Sequence, residues 1–193
     1  MAPNVTAMKP GLNAWVDESI HAPSADLGFY ILATVISDSS RAERTRERLH
    51  RLVFTGQERL HWRDESPKRR TQIVDAIAST SLTHVIVLAE VEARRQERAR
   101  RKCLQRLLFE LDQRGVTRAW IESRQAAQDR RDQEMVASLH GSGAISPGFT
   151  VTFAKPLYDP MLWIPHAVAG MMLAALRDDN HTWLVQLNGS YTL

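Results

Sequence analysis

Apolar positions along this chain change period in an order that outlines a fold. Residues 12–19 read Leu-Asn-Ala-Trp-Val-Asp-Glu-Ser, a buried strand that ends in acid. Residues 28–37, GFYILATVIS, are apolar and β-branched and predict a second strand. The short Pro/Ser/Asp turn between them predicts an antiparallel pair. Residues 41–54 are charged with apolar Leu49, Leu52 and Val53, an exposed helix, and residues 59–63 read as a short edge strand. Ser66 and Pro67 suit the N-cap and first position of a helix that puts Ile73, Val74 and Ile77 on one face. Residues 83–91, THVIVLAEV, are β-rich. Residues 93–113 predict a long helix, with Leu104, Leu107, Leu108 and Leu111 at i, i+3, i+4, i+7 and Gly115 just beyond its end. A strand over 116–122, a helix over 126–139 and a turn-rich loop over 141–148 follow. Next come an alternating strand over 149–153 and an apolar helix from about Met161 to Leu176, broken near its start by Pro165. A short apolar piece, 183–187, lies in the tail.

The opening hairpin implies antiparallel pairing, and the later strand–helix alternation implies parallel pairing through crossover helices. The expected fold class is therefore α/β, a mixed sheet flanked by helices. It forms one domain over residues 12–193, behind a flexible lead-in over residues 1–11 that carries two prolines and a glycine.

Composition narrows the setting. A chain of 193 residues fits one domain and needs no disulfide. Its single cysteine, Cys103, suits a reducing, cytoplasmic location. The N-terminus lacks the apolar core of a signal peptide. No apolar run approaches the ~20 residues that span a bilayer, so no membrane role is expected. A net charge of +3 permits a nucleic-acid partner without demanding one. The cations cluster: Arg94, Arg95, Arg98, Arg100, Arg101, Lys102 and Arg106 share one segment with Glu97 as its only acid. That segment is either a solvated helix face or a phosphate-binding surface, with Arg94, Arg98 and Arg101 as the candidate contacts. The sequence leaves homo-oligomerisation open.

Several chemistries lack their motifs. GxGxxG, GxxxxGK[ST], GxSxG, CxxC and HExxH are all absent. What remains is acidic. Asp17 ends one strand and Glu122 another, and the endings match: Trp15-Val16-Asp17 and Trp120-Ile121-Glu122. Side chains alternate along a strand, so each acid shares a face with the Trp two residues earlier. If the two strands are parallel neighbours, both carboxylates emerge together at their carboxyl ends. Two close carboxylates repel unless one is protonated or a cation lies between them. Mg²⁺ or Mn²⁺ suits such oxygen ligands. The alternative is that both acids are ordinary strand-end or capping residues.

The order of motifs resembles the prokaryotic domain of unknown function 3800 family, which has a ribonuclease H-like fold. Its members open on a strand ending Asp-Glu-Ser, as Asp17-Glu18-Ser19 do here, followed by an apolar strand like YILATVIS. Glu122-Ser123-Arg124 matches a later strand ending in an acid with a nearby Arg. Residues 164–170, IPHAVAG, match a closing helix with a site residue shortly before Ala-Gly. Two departures stand out: Ile20 replaces a Gly, and His166 replaces an Asp. Certain resolvase and Piwi-type nucleases are similar in using His at the last metal position. The resemblance implies a metal-dependent phosphodiester hydrolase acting on nucleic acid, with Asp17, Glu122 and His166 as metal ligands. Asp132 and Glu18 are lesser catalytic candidates. Arg124 is a candidate to hold Glu122 or a phosphate, and His61, beside Trp62, to contact a base. The alternative is a non-catalytic binding or assembly module that kept the fold.

Overall fold

The computed structural model describes residues 11–22, 27–80, 82–187 and 191–192. The expected lead-in, apart from Gly11, lies outside them. Strand β1 (Leu12–His21) and strand β2 (Gly28–Ser37) form the expected antiparallel pair. Helix α1 (Ser39–His50) and helix α2 (Pro67–Ala78) follow, and then strand β3 (Thr83–Val91), antiparallel to β2. Helix α3 (Gln96–Gln113) leads to strand β4 (Val116–Glu122), helix α4 (Ala126–Gly141) to strand β5 (Thr150–Ala154). Helix α5 (Trp163–Asp178), helix α6 (Thr182–Gln186) and strand β6 (Tyr191–Thr192) complete the described chain. Among the described residues one mixed sheet runs β5-β4-β1-β2-β3-β6.

Three local expectations are corrected. Residues 59–63 form no strand. Trp62–Asp64 is instead a single 3₁₀ turn, because Trp62 turns inward and is buried. Pro165 does not break its helix. It lies in the first turn of α5, where backbone N–H groups lack partners in any case, so its missing donor costs nothing there. The segment at residues 93–95 is a separate 3₁₀ turn ahead of α3.

The sheet is covered on both faces. One layer packs Trp15, Ile31, Ala33 and Val35 against α5, which α1, α2 and α6 enclose in turn. That explains why α5 is apolar nearly all round. The other packs Val16, Tyr30 and Leu32 against the leucine stripe of α3 and against α4. Adjacent residues of β1 therefore serve opposite layers: Trp15 and Asp17 face α5, while Val16 and Glu18 face α3.

Candidate metal centre

Strands β1 and β4 are adjacent and parallel, with Trp15 opposite Trp120 and Val16 opposite Ile121. The next step of that register brings Asp17 beside Glu122. His166 reaches the same point from the first turns of α5. Ligand atoms of Asp17, Glu122 and His166 all lie within 4.8 Å of one another. Three segments far apart in sequence converge at the carboxyl end of two strands.

Asp17 is buried, and both its oxygens are engaged. Oδ1 accepts the Glu18 backbone N–H at 2.6 Å, and Oδ2 lies 2.7 Å from His166 Nδ1. A carboxylate only accepts, so the ring proton sits on Nδ1 and Nε2 carries the free lone pair. His166 Nε2 and Glu122 Oε2 are buried without a hydrogen-bond partner among the described residues. Burial and the charge of Asp17 push the Glu122 carboxyl up to about 8. Two unsatisfied acceptor atoms and a strained carboxylate pair are what a divalent cation would satisfy. The oxygen and imidazole donors fit such an ion.

Neighbouring groups hold this geometry. The Trp15 indole donates to Asp159 Oδ2 at 2.7 Å, and Asp159 also receives Arg46 and caps the 3₁₀ turn Pro160–Leu162 that leads into α5. The strand bearing Asp17 is thus tied to the start of the helix bearing His166. One turn beyond His166, Gly170 leaves room for the Trp62 ring, which a Cβ there would meet at 2.1 Å. That close approach brings His61 edge-on to His166, ring centroids 5.2 Å apart. His61 is therefore beside the cluster, but on a turn and not on an edge strand. Burial, then the charge of His166, lowers its affinity for a proton.

Other sequence candidates fall elsewhere. Glu18 and Asp132 do not join the cluster. Both are drawn to the buried Arg100 in the opposite layer: Arg100 Nη2 donates to Asp132 at 2.7 Å, and Arg100 and the Tyr30 hydroxyl both contact Glu18. A buried guanidinium needs anionic partners, and these two acids supply them. Arg124 does not hold Glu122. It pairs with Glu97 at 2.8 Å and Asp132 at 3.3 Å. Asp129, in the first turns of α4, accepts the Ser123 hydroxyl and the Arg124 N–H just ahead of the helix. Arg94, Arg98 and Arg101 are exposed. A cavity of about 210 Å³ joins Asp17, Glu122 and His166 to Glu18, Arg100 and Arg124. A cleft of about 470 Å³ adjoins it at His166 and runs past Trp62, Arg63, Arg70 and Arg177.

Reading the sequence for motifs misses Arg100, Asp159 and the role of Gly170. A signal existed for the first. Arg100 precedes Leu104, Leu107 and Leu111 by four, seven and eleven residues, which puts it on the buried stripe rather than the basic face.

No family model matches the chain, and no curated protein matches it significantly. Solved structures do. Ribonuclease H2 from Pyrococcus horikoshii OT3 superposes with a TM-score of 0.53 at 14% identity, covering 93% of this chain and 78% of that one. Bst-RNase HIII in complex with Mn²⁺ superposes with a TM-score of 0.50 at 11% identity, covering 89% of this chain and 55% of that one. The chain has a ribonuclease H-like fold. With no family model behind it, the motif likeness to a family of unknown function stays a likeness. At such identities the neighbours speak for the fold and not for the chemistry.

Proposed function

We propose that this protein is a divalent-metal-dependent phosphodiester hydrolase of the nuclease type, acting on nucleic acid. The observation that carries this reading is the convergence of Asp17, Glu122 and His166 within 4.8 Å, with unpartnered acceptor atoms on two of them. Those three side chains would hold the ion, Mg²⁺ or Mn²⁺. When bound, such an ion supplies Lewis acidity, activating the attacking water and neutralising charge at the phosphodiester. Asp17 orients the His166 ring and fixes its tautomer. Glu122 would supply a carboxylate oxygen to the ion, which it can do only once deprotonated. Arg94, Arg98 and Arg101 bind backbone phosphates without reading sequence, and His61 meets the substrate at the cluster's edge. The ribonuclease names of the neighbouring folds, and the Mn²⁺ in one of them, support this reading. A lone buried Cys103 suits a cytoplasmic setting, and among the described residues no helix is long and apolar enough to cross a membrane.

Thermal melts with and without each ion, paired with cleavage assays on labelled DNA, RNA and hybrid duplexes, test the reading. Wild type should melt higher with the ion, because a ligand of the folded state stabilises it, and should cleave at least one substrate. Asp17→Asn should lose both responses. One observation favours a second reading, a non-catalytic binding module: both oxygens of Asp17 are engaged by protein groups, the Glu18 N–H and the His166 ring. Nucleic-acid binding with no metal response and no cleavage would establish that module instead.

A further inference from the structure

One donor of this centre is an imidazole, and that sets it apart from a site built of carboxylates alone. The His166 Nδ1 lies 2.7 Å from Asp17 Oδ2, and its Nε2 is buried without a hydrogen-bond partner among the described residues. A second imidazole, His61, packs edge-on against the first at 5.2 Å. Mg²⁺ prefers oxygen ligands and releases its waters reluctantly. Imidazole suits first-row transition ions, whose affinity for such ligands rises from Mn²⁺ to Co²⁺.

We propose that the centre selects a transition ion over Mg²⁺, Mn²⁺ being the resident ion of the two named above, and that the His166 imidazole is the selecting ligand. The proposal rests on the metal reading under Proposed function. Glu122 supplies the oxygen donor that any divalent ion accepts.

Calorimetric titration of the chelator-stripped full chain with MgCl₂, MnCl₂ and CoCl₂ tests it. The expected order of affinity is Mg²⁺ below Mn²⁺ below Co²⁺, with Mn²⁺ roughly tenfold or more above Mg²⁺. His166→Asp should shrink the Co²⁺ to Mg²⁺ ratio by about tenfold or more, chiefly by weakening Co²⁺. A ratio unchanged in that variant, if its circular dichroism shows it folded, overturns the proposal. A second readout needs no variant. Histidine-ring NMR of wild type with Zn²⁺ should show one imidazole ring nitrogen shifted by direct coordination, and no coordinated ring nitrogen overturns the proposal too. Equal affinity of wild type for Mg²⁺ and Mn²⁺ overturns the selectivity alone. If none of the ions binds wild type, the metal reading falls with it.

Discussion

Glu122 ends β4 beside Asp17, and burial with that neighbouring charge pushes its carboxyl from an ordinary 4.5 up to about 8. Between these values the folded chain keeps a proton that the unfolded chain has released. Stability without metal therefore falls as pH rises through that window, since the folded state binds more protons there. Glu122→Gln removes the titration and mimics the protonated form. Its melting temperature without metal should exceed that of wild type at pH 8 by more than it does at pH 5. Melts across that range check it, and parallel curves for the two proteins would mean that Glu122 is not strained. Added Mn²⁺ should reverse the order at pH 8, because the cation takes the place of the proton in wild type and finds a weaker ligand in the variant.

At the scale of elements, α5 and the turn at Trp62 meet through Gly170. A methyl there would strike the Trp62 ring, which is itself buried and packed edge-on against Trp183 at 5.3 Å. Moving the ring away would break that packing. Ala is the better helix former by about 1 kcal/mol, yet the overpacking costs about 1–3 kcal/mol, so the clash wins or balances. Gly170→Ala should lower the denaturant midpoint and displace His61 from His166. The loss of stability by urea titration checks the first part. A changed His166 ring signal in NMR checks the second. An unaltered midpoint and signal would mean that the turn slides freely on α5.

At the scale of the molecule, β1, β3 and β4 run parallel to one another within the mixed sheet, β1 and β3 each antiparallel to β2 and β4 parallel to β1. Their carboxyl ends share one edge, so the turn and helix that follow β3 begin at the end of the sheet that bears Asp17 and Glu122. Arg94, Arg98 and Arg101 lie exposed on that turn and helix, on the opposite face of the sheet from Asp17 and His166, and none of them lines the cavity or the cleft at the cluster. Arg100, in the same run, is committed to Glu18 and Asp132 and is not available to a ligand. Replacing the three exposed arginines with Ala should weaken binding to a labelled nucleic acid and lower the salt slope by about one unit for each lost phosphate contact. Anisotropy titrations at several salt concentrations measure that slope, and an unchanged slope would exclude this surface as the contact.

Strand and helix order, the leucine stripe of α3 and the opening hairpin were legible in the sequence because period and turn chemistry are local properties. The matched endings at Asp17 and Glu122 were legible for the same reason: alternation along a strand tells which face an acid shares with its neighbours. Residue order alone does not carry long-range register, and everything else at the site depends on it. Only the tertiary structure decided that β1 and β4 are adjacent, that His166 bonds Asp17, and that Gly170 admits Trp62. It also separated acids that look alike in sequence. Asp17 and Glu18 are consecutive, yet the pleat sends one to Glu122 and His166 and the other to a buried arginine. Which acids repel and which are neutralised is set by charges from distant segments, and only folding brings those charges together.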